Sequence, residues 1–129
     1  MLQLTSIEIK AFVPAKDFQH SIEFYQAVGF TMASNSGGIA YFHHGGCAFL
    51  LQDFHVAECT RNFMMHWQVE NVDDWYQHLL EQNIVQRFGV RMEPPQDQPW
   101  RMRDFVLIDP SGVLWRVAQN IPRTVAANP

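Results

Sequence analysis

The side chains in this sequence that are typed for chemistry point more to recognition than to catalysis. His43 and His44 stand together before Gly45 and Gly46, which looks like a metal motif. Neighbours in a strand point to opposite faces, so the two rings cannot chelate one ion, and the run reads as a hairpin turn. Cys47 and Cys59 show neither a C-x-x-C spacing nor a disulfide framework, which reads as reduced thiols in a cytoplasm. No Gly-rich phosphate loop, Gly-x-Ser-x-Gly elbow or convincing Cys/His pair is present. Glu8 and Lys10, two residues apart in an alternating segment, share one face of a strand. Trp100, at the lip of a proline-rich loop, is placed to stack on a flat ligand or attract a cationic one. Arg103 and Phe105 follow on the adjoining strand.

These residues need a scaffold, and 129 residues make about one domain. Hydrophobic residues at 47% and charged residues at 17% are ordinary for a globular chain. The net charge of -4, with Lys and Arg scattered singly, provides no basic field and excludes nucleic acid as a partner. No apolar run approaches the roughly 20 residues of a membrane span. The opening MLQLTSIEIK lacks the basic-then-apolar order of a leader. The expectation is a cytoplasmic protein with no membrane partner.

Residues 2–13 alternate, with Ile7, Ile9, Ala11 and Val13 on one side and Glu8, Lys10 and Phe12 on the other, which predicts a strand ended by Pro14. Asp17 caps a helix that carries Phe18, Ser21, Ile22, Tyr25 and Val28 on one stripe, and Gly29 supplies its exit. Short strands are predicted over 30–33, 39–43 and 47–52, then a connector over 53–62. The order then repeats. A strand over 63–69 leads to a helix capped by Asn71, with Asp73 and Asp74 at its positive end and Val72, Trp75, Tyr76, Leu79 and Leu80 facing inward. Asn83 ends it. Strands follow over 85–92, 102–108 and 113–119, separated by the loop MEPPQDQPW and the turn Asp-Pro-Ser-Gly, with a loose tail over 121–129. Trp67, Trp75, Tyr76 and Trp115 read as core, and His20 and His78 as solvated helix residues. The class is α+β: two βαβββ modules, 1–56 and 61–120, in one domain that forms a curved mixed sheet around a cleft.

Three stretches carry a resemblance. FVPAKDFQHSIEFYQAVGF, with its strand, Asp-led helix and Phe-Tyr…Gly-Phe ending, resembles the opening of the glyoxalase, bleomycin-resistance and extradiol-dioxygenase superfamily, the vicinal oxygen chelate class. QPWRMRDFVLIDPSGVLWRVAQ is similar to its closing Trp-x-x-Arg-x-Phe strand, Asp-Pro-x-Gly turn and final strand, and VENVDDWYQHLL agrees. The entry VPAKD and the Trp-Arg-Met-Arg-Asp-Phe run lean toward the bleomycin-resistance-like branch, which binds drugs without chemistry. The resemblance implies a homodimer and a concave recess with helices outside. In the enzymes of the class, His, Gln or Glu from the first, fourth, fifth and eighth strands hold a divalent metal there.

Carried over, those positions fall on Lys10, with Glu8 two residues earlier; on Gln52 or Leu50; on Met64, with His66 two residues on; and on Arg116. Two cations and a thioether are poor donors for a hard ion, so neither metal nor cofactor is expected. The resulting expectation is a polar floor of Glu8, Lys10, Gln52, His66 and Arg116, joined by Trp100 and Arg103, that hydrogen-bonds a small molecule. Alternatively, Lys10 and Arg116 pair with Glu8 and bind nothing. Two enzyme readings stay open: a metal-dependent lyase, isomerase or dioxygenase with Glu8, Gln52 and His66 as ligands, and a metal-free enzyme with His66 or Glu8 as general base.

Overall fold

Caps set the helix starts. In the structure, a computed structural model that describes residues 1–122, Asp17 accepts a bond of 3.1 Å from the His20 N–H and starts α1 (Phe18–Val28). Asn71 accepts 3.0 Å from the Asp74 N–H and starts α3 (Val72–Glu81). A short α2 (Ala57–Arg61) lies between them in the connector. Gly29, at φ 134°, takes α1 out into the first sheet.

The first half pairs β1 (Phe12–Ala15), β2 (Thr31–Ser36), β3 (Ile39–His44) and β4 (Cys47–Asp53) in the order β1-β4-β3-β2. The second pairs β5 (Met64–Gln68), β6 (Arg91–Asp97), β7 (Met102–Ile108) and β8 (Leu114–Asn120) in the order β5-β8-β7-β6. In each half the first and last strands are parallel and the remaining pairs antiparallel. The class is therefore α+β, built from two modules of one topology.

Each sheet keeps one face dry. Val13, Ala15, Phe42, Phe49 and Leu51 are buried with Ile22, Phe24, Tyr25 and Val28 of α1, and Phe105, Leu107, Trp115 and Val117 with Val72 and Leu79 of α3. Aromatic rings fuse the halves: Tyr25 meets Trp115 at 5.6 Å, Phe49 meets Trp115 at 5.3 Å and Phe30 meets Trp67 at 4.7 Å. Within that cluster the Tyr25 hydroxyl donates to Asp109 at 2.5 Å and accepts from the Trp115 indole at 2.9 Å. Asp109, in the Asp-Pro-Ser-Gly turn, also accepts the N–H groups of Ser111 and Val113. Burial pushes the Asp109 carboxyl up from its ordinary range and the Tyr25 phenol well up.

Several elements differ from expectation. The first strand is not 2–13 but Phe12–Ala15. Upstream, the Ala11 carbonyl still accepts from Leu50, but Leu2, Leu4, Ile7 and Ile9 stand in solvent, because no other part of the described chain covers them. Pro14 lies inside β1 rather than after it, which an edge strand tolerates since one side needs no N–H donor. In place of a strand over 85–92 there is α4 (Ile84–Phe88), followed by β6. The spacing of Ile84 and Phe88 is helical, and Pro94 and Pro95 sit in the edge strand β6 at its bulge between Glu93 and Gln96. Asn83 ends α3 as expected: just past the Gln82 cap, it takes the left-handed conformation at φ 52° and turns the chain into α4. His20 and His78 are half-buried, not solvated: His20 packs on Phe88 at 5.3 Å, and His78 Nε2 lies 3.0 Å from the Val28 carbonyl. From residue 123 onward the expected tail lies outside the described residues.

Replacing Tyr25 with Phe leaves Asp109 and the Trp115 indole each one partner short in a dry site. We expect a loss of about 2 kcal/mol, measured by urea unfolding.

Candidate ligand-binding site

Alternation along each strand puts a polar row on the face that the helices leave open. On the second sheet His66, Arg116, Val106 and Glu93 lie side by side across β5, β8, β7 and β6. The next row holds Gln68, Ala118, Asp104 and Gln96. Asp104 is only 2% exposed. Its oxygens are taken by Arg116 Nη1 at 3.1 Å and Gln98 Nε2 at 3.0 Å. A carboxylate so far out of water needs such partners, and the pair makes a fixed polar floor. Glu93, Pro94, Gln96, Gln98, Val106 and Arg116 wall a recess of about 170 Å³ above it.

The first sheet carries a smaller polar group. Gln52 sits between Pro14 and Ile39, and Leu50 between Phe12 and Tyr41. From the segment before β1, Glu8 reaches over to accept from the Tyr41 hydroxyl at 2.6 and 2.8 Å and from Lys10 Nζ at 2.9 Å. The Tyr41 bond, then Lys10, holds the Glu8 carboxyl below its usual range, and Glu8 in turn raises Lys10. Lys10 Nζ also lies 5.2 Å from the Tyr41 ring centre.

The expected residues thus fall into separate groups. His66 and Arg116 are register neighbours on one sheet, while Glu8, Lys10 and Gln52 belong to the other. Arg116 pairs with Asp104 rather than with Glu8. Arg103 points the other way: with Phe105 and Leu107 it shares the helix-covered face, where it grips Asp73 at the start of α3 at 3.0 Å and Asp97 at 3.0 Å. Trp100 stands 56% exposed in the β6–β7 turn. Asp104, Gln98, Glu93, Gln96 and Tyr41 were not anticipated. The last of the Arg-Met-Arg-Asp run is the one signal that pointed to Asp104, since alternation sets it on the face opposite Arg103.

A scan of family models matches residues 7–117 to the Glyoxalase/Bleomycin resistance protein/Dioxygenase superfamily. The chain belongs to this superfamily. Among curated proteins, none matches it. Its fold is similar to that of a bleomycin-binding protein complexed with bleomycin, at TM-score 0.77 and 20% identity over 89% of this chain and 99% of that one. It is similar to the bleomycin-binding protein from Streptomyces verticillus complexed with copper(II)-bleomycin, at TM-score 0.72 and 16% identity over 95% and 100%. It is also similar to lactoylglutathione lyase from Agrobacterium tumefaciens, at TM-score 0.63 and 17% identity over 89% and 95%.

The metal that enzymes of the superfamily hold does not fit these residues. Arg116 occupies the eighth-strand position as a fixed cation beside His66, and Glu8 is already committed to Lys10 and Tyr41. Among the described residues, no three His, Cys, Asp or Glu side chains gather closely enough for an ion.

Arg116→Met strands the buried Asp104 charge and should cost about 3–5 kcal/mol in denaturant unfolding. The double variant Arg116→Met/Asp104→Leu, which removes both charges, should recover most of that loss.

Proposed function

We propose that this superfamily member binds a small, partly aromatic molecule of the antibiotic type and acts by sequestering it, without metal chemistry. The observation that carries the reading is the Asp104–Arg116–Gln98 floor: a pre-formed, charge-balanced set of hydrogen-bonding groups stands where coordination would need electron donors. Around it, His66 and Met64 lie exposed on the same open face, and Phe12 and Tyr41 supply flat apolar surface on the other sheet. Glu8, Lys10 and Gln52 add polar contacts there, and the exposed Trp100 of the β6–β7 turn is available to stack on the ligand. The similarity to bleomycin-binding proteins supports the same reading.

A second copy of the chain belongs to this picture. Ile7 and Ile9 continue the dry-face parity of Val13 beyond the point where the chain leaves its own sheet, and Ile9 is 97% exposed. A mainly apolar groove lined by Phe30, Cys47, Ala48, Phe49, Met65, Trp67 and Trp115, and also by His66 and Gln68, lies open between β4 and β5. Ile7 and Ile9 of one protomer filling this groove on the other make a symmetric dimer. Two free cysteines agree with a reducing, cytoplasmic setting.

The test is calorimetric titration with metal-free bleomycin and with its copper(II) complex, alongside light scattering. We expect saturable binding by a dimer, weakened about tenfold by His66→Ala, and a monomer from the double variant Ile7→Asp/Ile9→Asp. Failure of a well-folded protein to bind either form contradicts the bleomycin-type reading.

A further inference from the structure

The cations of this acidic protein are not evenly spent. Lys10, Arg103 and Arg116 each pair with a carboxylate, whereas Lys16, Arg61, Arg87, Arg91 and Arg101 form no ion pair among the described residues. Three of these five, Lys16, Arg61 and Arg91, line one recess, together with His55. It lies where the halves meet: Lys16 follows β1, His55 follows β4, Arg61 ends α2, Arg91 opens β6, and the turn 109–112 closes the wall.

The one acid lining the recess does not answer these charges. The Asp109 carboxylate is turned inward, with one oxygen taking the Tyr25 hydroxyl and the other the N–H groups of Ser111 and Val113. The Ser111 hydroxyl oxygen accepts the Lys16 N–H at 2.8 Å and lies 3.5 Å from the Ser21 hydroxyl, a long contact that a ligand oxygen can replace as acceptor of the Ser111 hydrogen. His55 is steadied by Thr60, 3.2 Å from its Nδ1, with the other ring nitrogen left over. The recess measures about 350 Å³, inside the roughly 300–1,000 Å³ of small-molecule sites. That is more room than one tetrahedral oxyanion needs.

We propose that this recess is a second binding site, for a phosphate-bearing small molecule. Arg61 and Arg91 supply the forked donors that match phosphate oxygens, Lys16 adds a point charge, and the Ser111 hydroxyl completes the donor set. A dianion placed there relieves the mutual repulsion of three unpaired cations. It also ties both modules and the connector together, so binding stabilises the native state. None of its cationic residues belongs to the open-face site, and the inference stands or falls separately from the antibiotic reading.

The experiment is a two-dimensional ¹H–¹⁵N NMR titration of the full chain with inorganic phosphate and pyrophosphate, at ionic strength held constant with sodium chloride. We expect saturable shifts confined to residues 16, 55, 61, 91 and 109–112, stronger for pyrophosphate. The double variant Arg61→Gln/Arg91→Gln, both positions being exposed, should keep the dispersed spectrum and raise Kd at least tenfold. Arg87→Gln, an exposed cation outside the recess whose guanidinium bonds the Gln82 carbonyl, should leave Kd unchanged. Shifts that never saturate, shifts centred on His66 and Arg116, or equal weakening by Arg87→Gln would each overturn the proposal.

Discussion

Strand β8 has to serve two environments at once, and the pleat decides how. Trp115 and Val117 go to the dry side and Arg116 to the open side, with no freedom to exchange, because a shift of one residue would bury the guanidinium and expose the indole. From that constraint follows the position of Arg116 beside His66, and with it the need for Asp104 as a counter-charge. The polar floor is thus a consequence of the core's register. Its charges are balanced internally at 3.1 Å before any ligand arrives.

The same strand anchors the two halves. Trp115 reaches Tyr25 of the first helix, and Tyr25 reaches Asp109 of the last turn, so one hydrogen-bonded chain inside the aromatic cluster crosses the junction between modules. A buried network of this kind is worth keeping only when every member is satisfied, and the described residues contain no buried side-chain polar atom without a partner. The open faces are thereby held by a rigid frame, which suits binding that depends on pre-set hydrogen-bond directions.

Where local chemistry is unambiguous, the sequence was a good guide. Asp17 and Asn71 cap their helices as side-chain acceptors do, and strand 102–108, free of proline and rich in apolar and β-branched residues, is found at those bounds. The prolines at 94 and 95 misled, because an edge strand with a bulge accepts residues that an interior strand rejects. For residues 2–9 the alternation is real, but alternation says only that a face is apolar; it does not say whether this chain covers it. The floor itself was half legible. The cationic character of position 116 could be read directly, whereas its partner Asp104 depends on a diagonal contact between β7 and β8 that no single-strand pattern encodes.

Charge decides what the site can hold: the open face of the second sheet carries a guanidinium where a coordinating enzyme would hold a carboxylate. Elemental analysis of protein purified without chelator tests this most directly. We expect zinc, nickel, manganese and iron far below one per chain. Any of them at one equivalent, lost on His66→Ala, would contradict it.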